Sequence, residues 1–420
     1  MYKVSRLENG LTVATAEMPH MSSVSLGIWV GVGGRYEPAP LSGVSHFIEH
    51  LLFKGTRRRS AREISQAVEG IGGYLNAFTS EEHTCFYAKA RYDHFPRLLD
   101  VLADMFLHSI FDPAELDKER EVIKEELAMY MDQPQQYVQE LLNAAMWPDQ
   151  PLGRSITGTV KTLDNLGQVQ LMQYQKENYV APATLLAAGG RITHREAVGL
   201  AAKYSRKFGR GVRPCCAPAG STQTKPGLRL LTKKTEQTQM ALGIRACSRH
   251  DERRFALRLL NAVLGENMSS RLFQTVREDH GLAYSIYSAS SFFDDAGDLV
   301  IAAGLDTDNL EKTLKLILRE MKRLKTQLIP AAELRRARDY LIGQLDLGLE
   351  NSENQMMWAG EQWLGYGKIV HPDEFKKSLS AVTSAQVRAA ARDFFRPERF
   401  NLALISPLKS AEGMEKLLTT

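Results

Sequence analysis

The chain repeats itself, and the repeat limits its possible folds more than any single motif does. Ala241-Leu242-Gly243-Ile244 answers Ser25-Leu26-Gly27-Ile28 at an offset of 216. Pro330-Ala331-Ala332-Glu333-Leu334 answers Asp112-Pro113-Ala114-Glu115-Leu116 at 218, and Pro397 with Phe400 to Leu404 answers Pro182 with Thr184 to Ala188 at 215. Three matches at nearly constant separation imply two homologous halves, and 420 residues exceed what one ordinary core encloses. The expected class is α+β: two domains, each a mixed or antiparallel sheet with helices packed on one face, a duplicated αβ roll. The stretch 211–226 is rich in Pro, Gly, Ser and Thr and reads as a linker between domains at 1–210 and 227–420.

Local patterns fill in the first half. Val4 to Thr15 reads as a hairpin turning at Asn9-Gly10. Val24, Leu26, Ile28, Val30 and Val32 alternate as one strand, closed by glycines 31, 33 and 34. Helices are expected over about 61–71, 93–108, 113–131, 134–145 and 167–179, with strands near 76–80, 84–91 and after Pro182.

Composition narrows the function. Lys and Arg total 53 against 49 Asp and Glu, a net charge of only +4 with both signs interspersed, which argues against a nucleic-acid binder. No stretch approaches the length of a membrane span and no signal peptide is visible, so a cytoplasmic location is expected. Cys85, Cys215, Cys216 and Cys247 fit neither a disulfide framework nor a Cys-x-x-Cys clip and are expected as free thiols.

Against this background, His46-Phe47-Ile48-Glu49-His50 stands out. It follows a turn-like Pro38 to Gly43 and runs into Leu51, Leu52 and Phe53, as a short packed helix would. Residues four apart share a helix face, so His46 and His50 can offer two imidazole nitrogens to one ion, while Glu49 sits on the adjoining edge as a base for water. The pair could also be satisfied core histidines. A catalytic zinc takes three protein ligands. Glu119-Arg120-Glu121-Val122-Ile123-Lys124-Glu125-Glu126 offers candidates: Glu119 and Glu126 are seven apart and share a face, and Glu121 and Glu125 point elsewhere. The plain alternative is a solvated acidic face.

His46-x-x-Glu49-His50 followed by Glu126 resembles the signature of the pitrilysin or insulinase family of zinc metallopeptidases, in particular the short-subunit branch that includes mitochondrial processing peptidase and its bacterial homologues. The resemblance implies that His46, His50 and Glu126 hold one zinc per chain, that Glu49 is the general base, and that Glu119 orients a ligand. It also implies that Gly72 to Ser80 is a substrate-binding edge strand, with Asn76, Ala77 and Phe78 against the peptide. In the second half, Arg277 and Tyr284 resemble the family's substrate pair, which serves the peptide backbone and the developing oxyanion.

Adding 216 to the motif positions gives Ala262, Gly265 and Glu266, and adding 218 to Glu126 gives Gln344, so the motif belongs to one half only. By the resemblance the chain is a zinc endopeptidase for unfolded peptides bound as an added strand. It would work inside a dimer chamber, most simply a homodimer with Arg277 and Tyr284 acting across the interface; a heterodimer with a homologous subunit stays open. The competing expectation is a non-catalytic helper subunit of a heteromeric processing peptidase. A third is a metal hydrolase acting on something other than peptide bonds.

Overall fold

A computed structural model describes residues 2–220 and 223–419. The first half supplies β1 (Tyr2–Arg6), β2 (Thr12–Glu17), β3 (Ser23–Val30), β4 (Tyr74–Thr79), β5 (Thr84–Arg91) and β6 (Thr184–Gly190). Its helices are α1 (Val44–Leu52), α2 (Ala61–Glu69), α3 (Phe95–His108), α4 (Pro113–Met131), α5 (Pro134–Met146), α6 (Val160–Asn165), α7 (Gln168–Asn178) and α8 (His194–Ser205). The second half supplies β7 (Gly227–Thr232), β8 (Thr238–Arg245), β9 (Ala283–Phe292), β10 (Gly297–Leu305) and β11 (Phe400–Ser406). Its helices are α9 (Arg254–Leu264), α10 (Leu310–Thr326), α11 (Ala331–Gly348), α12 (Ser352–Tyr366), α13 (Pro372–Ala381), α14 (Ser384–Phe394) and α15 (Glu412–Leu418).

The duplication is visible in the sheets. The first runs β1-β2-β6-β3-β5-β4 and the second β7-β11-β8-β10-β9, so the two share one strand order once β1 is set aside. Directions agree as well: β2 is parallel to β6 as β7 is to β11, and the remaining shared pairings are antiparallel. The extra strand β1 pairs with β2 from Tyr2↔Ala16 to Arg6↔Thr12. Its connection is a five-residue loop, Leu7 to Leu11, rather than a two-residue turn, with Gly10 at φ 94 in the left-handed region.

Two compact units emerge. One consists of Met1–Ala128, Arg154–Ala217 and Asp346–His371, the other of Met129–Gly153, Pro218–Leu345 and Pro372–Thr420. Only the crossing at Ala217/Pro218 falls in the 211–226 stretch; the chain also passes between units at 128/129, 153/154, 345/346 and 371/372.

In the first unit, one face of the sheet packs its Val24, Leu26, Ile28 and Phe86 against Phe47, Leu51, Leu99 and Leu102 of α1 and α3. The other face carries Ala14, Trp29, Cys85, Leu185 and Ala187 and is closed by Met356 and Ala359 of α12. That approach is tight: a Cβ on Gly360 would lie 2.3 Å from the Trp29 ring, and one on Gly189 would lie 2.2 Å from the Ser352 carbonyl. In the second unit the main core joins β8, β10 and β11 to α9, α10 and α14. The opposite face, with Ala241, Val300, Ala403 and Ile405, lies under Val138, Leu142 and Met146 of α5. Thus each sheet carries its expected helical layer on one face and, in addition, a single helix from the other half of the sequence on the second face.

Candidate metal centre

Helix α1 is positioned at its start by a buried carboxylate. Gly43 N and Ser45 N donate to Glu37 at 2.7 and 2.8 Å, satisfying two N–H groups that a helix start leaves open. Burial pushes the Glu37 carboxyl up to about 7 against these hydrogen bonds. Val44, Phe47, Ile48, Leu51 and Leu52 then lock the helix into the core.

From that helix His46 and His50 turn toward Glu126 of α4. His46 Nε2 and His50 Nε2 each lie 3.7 Å from Glu126 Oε2, and one ligand atom from each of the three residues falls within a common 4.8 Å. Separations of 3.7 Å are long for hydrogen bonds but close to the roughly 3.4 Å between two donors that share a tetrahedral zinc at about 2.0–2.1 Å. Among the described residues this is the only group of three or more His, Cys, Asp or Glu arranged to hold a metal ion.

The protonation states suit the same purpose. Burial, then the neighbouring His50, holds His46 down at about 3, so its imidazole is neutral and keeps a lone pair. His50 Nδ1 lies 3.0 Å from Glu119 Oε2; donating there leaves the Nε2 lone pair toward Glu126. The other Glu119 oxygen is 2.7 Å from Lys54 Nζ. Glu119 itself is buried and, seven residues before Glu126, lies on the same helix face. Two nitrogens and one carboxylate oxygen therefore fit zinc, with an ion pair behind one of the nitrogens.

Glu49 sits beside this group. Burial is the main cause raising its carboxyl, and Glu126 adds to it; a hydrogen bond from Thr79 and the nearby His50 oppose the rise. Thr79 Oγ1 donates to Glu49 Oε2 at 2.5 Å.

Thr79 ends β4, which lies at the edge of the first sheet. Along β4, Leu75 and Ala77 pack with the α1 core, while Phe78 joins the Trp29 cluster on the other face. Asn76 shares the side of Phe78, and its Oδ1 accepts from Ala77 N at 2.8 Å. Of the expected peptide-contacting residues, only Ala77 therefore faces the helix that carries Glu49.

In the second unit Arg277 lies in a π-helical turn, Phe273–Asp279, and Gly281 at φ 58 leads out of it into β9. The Arg277 guanidinium stands 4.9 Å from the Phe273 ring centre and 5.9 Å from that of Tyr284, which is 78% exposed. The two residues named from the sequence are thus neighbours on that unit's surface.

Lys54 and Thr79 were not singled out from the sequence, although both carried a signal. Lys54 follows His50 by four, and Thr79 follows Ala77 by two on the same strand.

The relatives show the family. Residues 12–160 match the profile of the insulinase family, peptidase family M16, and residues 166–341 match that of the peptidase M16 inactive domain. A protein named uncharacterized zinc protease YmxG of Bacillus subtilis is 39% identical over 97% of this chain and 98% of its own length. An uncharacterized zinc protease of Streptomyces coelicolor is 37% identical over 97% of this chain and 90% of its own. Among solved structures, a protease from Helicobacter pylori superposes with a TM-score of 0.91 at 19% identity, covering 97% of this chain and 99% of that one. A peptidase M16 inactive domain from Pseudomonas fluorescens superposes at 0.90 and 19%, covering 98% and 99%. With two family profiles in tandem on a duplicated sheet and zinc-protease relatives along nearly its whole length, the chain belongs to the insulinase (M16) peptidase family.

Proposed function

We propose that this chain is a zinc-dependent endopeptidase that cuts unfolded peptides. The observation that carries the reading is the convergence of His46, His50 and Glu126 on one point, with the half-buried Glu49 carboxylate beside them. His46, His50 and Glu126 would hold the ion, and Glu119 would keep His50 in the tautomer that ligates. Zinc, when bound there, supplies a Lewis acid that polarises a carbonyl and lowers the pKa of water. Glu49 takes the proton from the attacking water and returns it to the leaving amine, a double duty for which a carboxyl raised by burial is suited.

The unpaired edge of β4 supports an extended backbone as the substrate class, since a peptide can add there as a further strand. Asn76, Ala77 and Phe78 would then lie along that strand. Arg277 and Tyr284, exposed and adjacent, would hydrogen-bond the peptide backbone and the developing oxyanion, contributed by a partner copy in a dimer.

The test is cleavage of a mixed library of unstructured peptides by the purified chain, with zinc content and native mass measured on the same sample. One zinc per chain, a dimeric mass and cleavage abolished by a chelator are expected. A zinc-loaded dimer that cuts nothing would overturn the reading in favour of a helper subunit, and an active monomer would overturn the shared chamber.

A further inference from the structure

We infer that Thr79 is a positioning residue for Glu49: its hydroxyl fixes the carboxylate of the base from the end of the strand on which the peptide docks. The inference rests on the peptidase reading above and adds a residue to it.

The geometry is specific. Thr79 Oγ1 donates to Glu49 Oε2 at 2.5 Å, which occupies one carboxylate oxygen and leaves the other to take a proton. A glutamate has three side-chain torsions, so a carboxylate without such an anchor spreads over several rotamers. The anchor is itself held. Thr79 pairs with Thr84 across the β4–β5 ladder, and Thr84, fully buried, donates its hydroxyl to the Val32 carbonyl at 3.0 Å. Strand alternation puts Thr79 on the α1 side together with Leu75 and Ala77.

This joins two tasks in one element. The outer side of β4 faces no neighbouring strand, with Ala77 N donating to the Asn76 side chain that a docking peptide would displace, and the side chain at the end of the same strand holds the base. A peptide that shifts β4 as it docks therefore moves Thr79, and with it Glu49. Valine at this position keeps the shape and removes only the hydroxyl; serine keeps the hydroxyl and removes a methyl group.

The experiment uses the full-length, zinc-loaded protein and a fluorogenic unstructured peptide, comparing wild type, Thr79→Val and Thr79→Ser. Thr79→Val is expected to lower kcat about ten- to thirtyfold, the scale of one hydrogen bond to a charged group, with KM and the zinc Kd within about twofold of wild type. Thr79→Ser is expected within about threefold of wild type. In a crystal structure of the valine variant, the Glu49 carboxylate should occupy more than one rotamer. Should valine unfold the strand end, Thr79→Ala is measured in its place with the same expectation.

An unchanged kcat in the valine variant, a serine variant no better than valine, or a loss of zinc that accounts for the lost rate would each overturn the inference while leaving the peptidase reading intact. A zinc-loaded wild-type protein that cuts no peptide overturns that reading, and the inference with it.

Discussion

Helices α1 and α9 occupy corresponding places in two copies of one fold, yet their polar groups are treated in opposite ways. Around α9, Asn261 Nδ2 donates to Glu266 Oε2 at 2.8 Å, and Ser288 Oγ donates to Asn261 Oδ1 at 2.6 Å. Around α1, the two Nε2 atoms and Glu126 face each other at 3.7 Å, and the buried Nδ1 of His46 has no hydrogen-bond partner among the described residues. A structural site closes its hydrogen bonds, whereas the α1 site leaves donors and acceptors converging without closing them. The helices also end differently. Helix α9 stops at Leu264, so Gly265 and Glu266, the positions answering Glu49 and His50 by the offset of 216, lie beyond it. A Cβ on Gly265 would lie 2.7 Å from the Ser288 hydroxyl, so no glutamate side chain fits there without rearrangement.

The largest effect that would sharpen this contrast is on the chemistry of the first half. Glu49→Gln is expected to lower turnover about a thousandfold while zinc content stays at the wild-type level. Peptide cleavage and metal analysis on one sample check this, and activity retained with zinc in place would place the base elsewhere.

Next comes packing, where the two halves should differ in degree. Gly360→Ala would press a methyl group against the fully buried Trp29 ring, with a net cost of about 2 kcal/mol after the gain in helix propensity. Gly243→Ala meets Met146 Sδ at 2.5 Å and the ends of Leu142, which can move aside, so about 1 kcal/mol is expected. Denaturant melts of both variants read the difference, and equal costs would break the distinction between a rigid ring and a flexible thioether.

The helix starts make a third contrast, in pH dependence. Glu37, which caps α1, has its folded pKa pushed by burial to about 7 from 4.5. The folded state thus binds that proton more tightly, so the contribution of Glu37 is full below 4.5 and is lost as pH rises through 7. Wild type should lose on the order of 2 kcal/mol from this group between about pH 5 and 8, and Glu37→Gln should not. Asp251, which accepts from Arg253 N ahead of α9, is instead held below its usual 3.8 by Arg253. Its contribution is present above 3.8 and fades only in acid. Melts across that range and on into acid below 3.8, with Asp251→Asn alongside, test the opposite signs.

A last effect, on metal affinity alone, concerns Lys54. Lys54→Met frees one oxygen of Glu119 and should weaken zinc binding about tenfold, as loss of support behind a ligand does. Competition with a chromophoric chelator measures it, and unchanged affinity would mean that Glu119 needs no ion pair to hold His50.

Much of this was legible because its cause is local in the chain. The duplicated strand order follows from patterns repeated at 215 to 218 residues, and the group at His46, His50 and Glu126 follows from helical spacing on α1 and α4. What escaped depends on neighbours that only folding supplies. Lys54 and Thr79 matter through Glu119 and Glu49, which reach them across 65 and 30 residues of chain respectively. The small residues Gly27, Gly189 and Gly360 make sense only once α12 is seen lying on Trp29. Nothing in the amphipathic pattern of α5 or α12 names the sheet it covers. The hairpin loop and the early end of α9 show the same limit: a favoured dipeptide or a fixed offset says little about where an element stops.

The helices α5 and α12 bear on how such a chain can be divided. A fragment ending at the linker would keep Trp29, Leu185 and Ala187 but lack Met356 and Ala359, the residues that close over them. The complementary fragment would lack Val138, Leu142 and Met146 above Ala241 and Ala403. Each isolated half would show a bare apolar sheet to water, so a gene split at 211–226 should yield two aggregating products unless both are made together and trade their helices back.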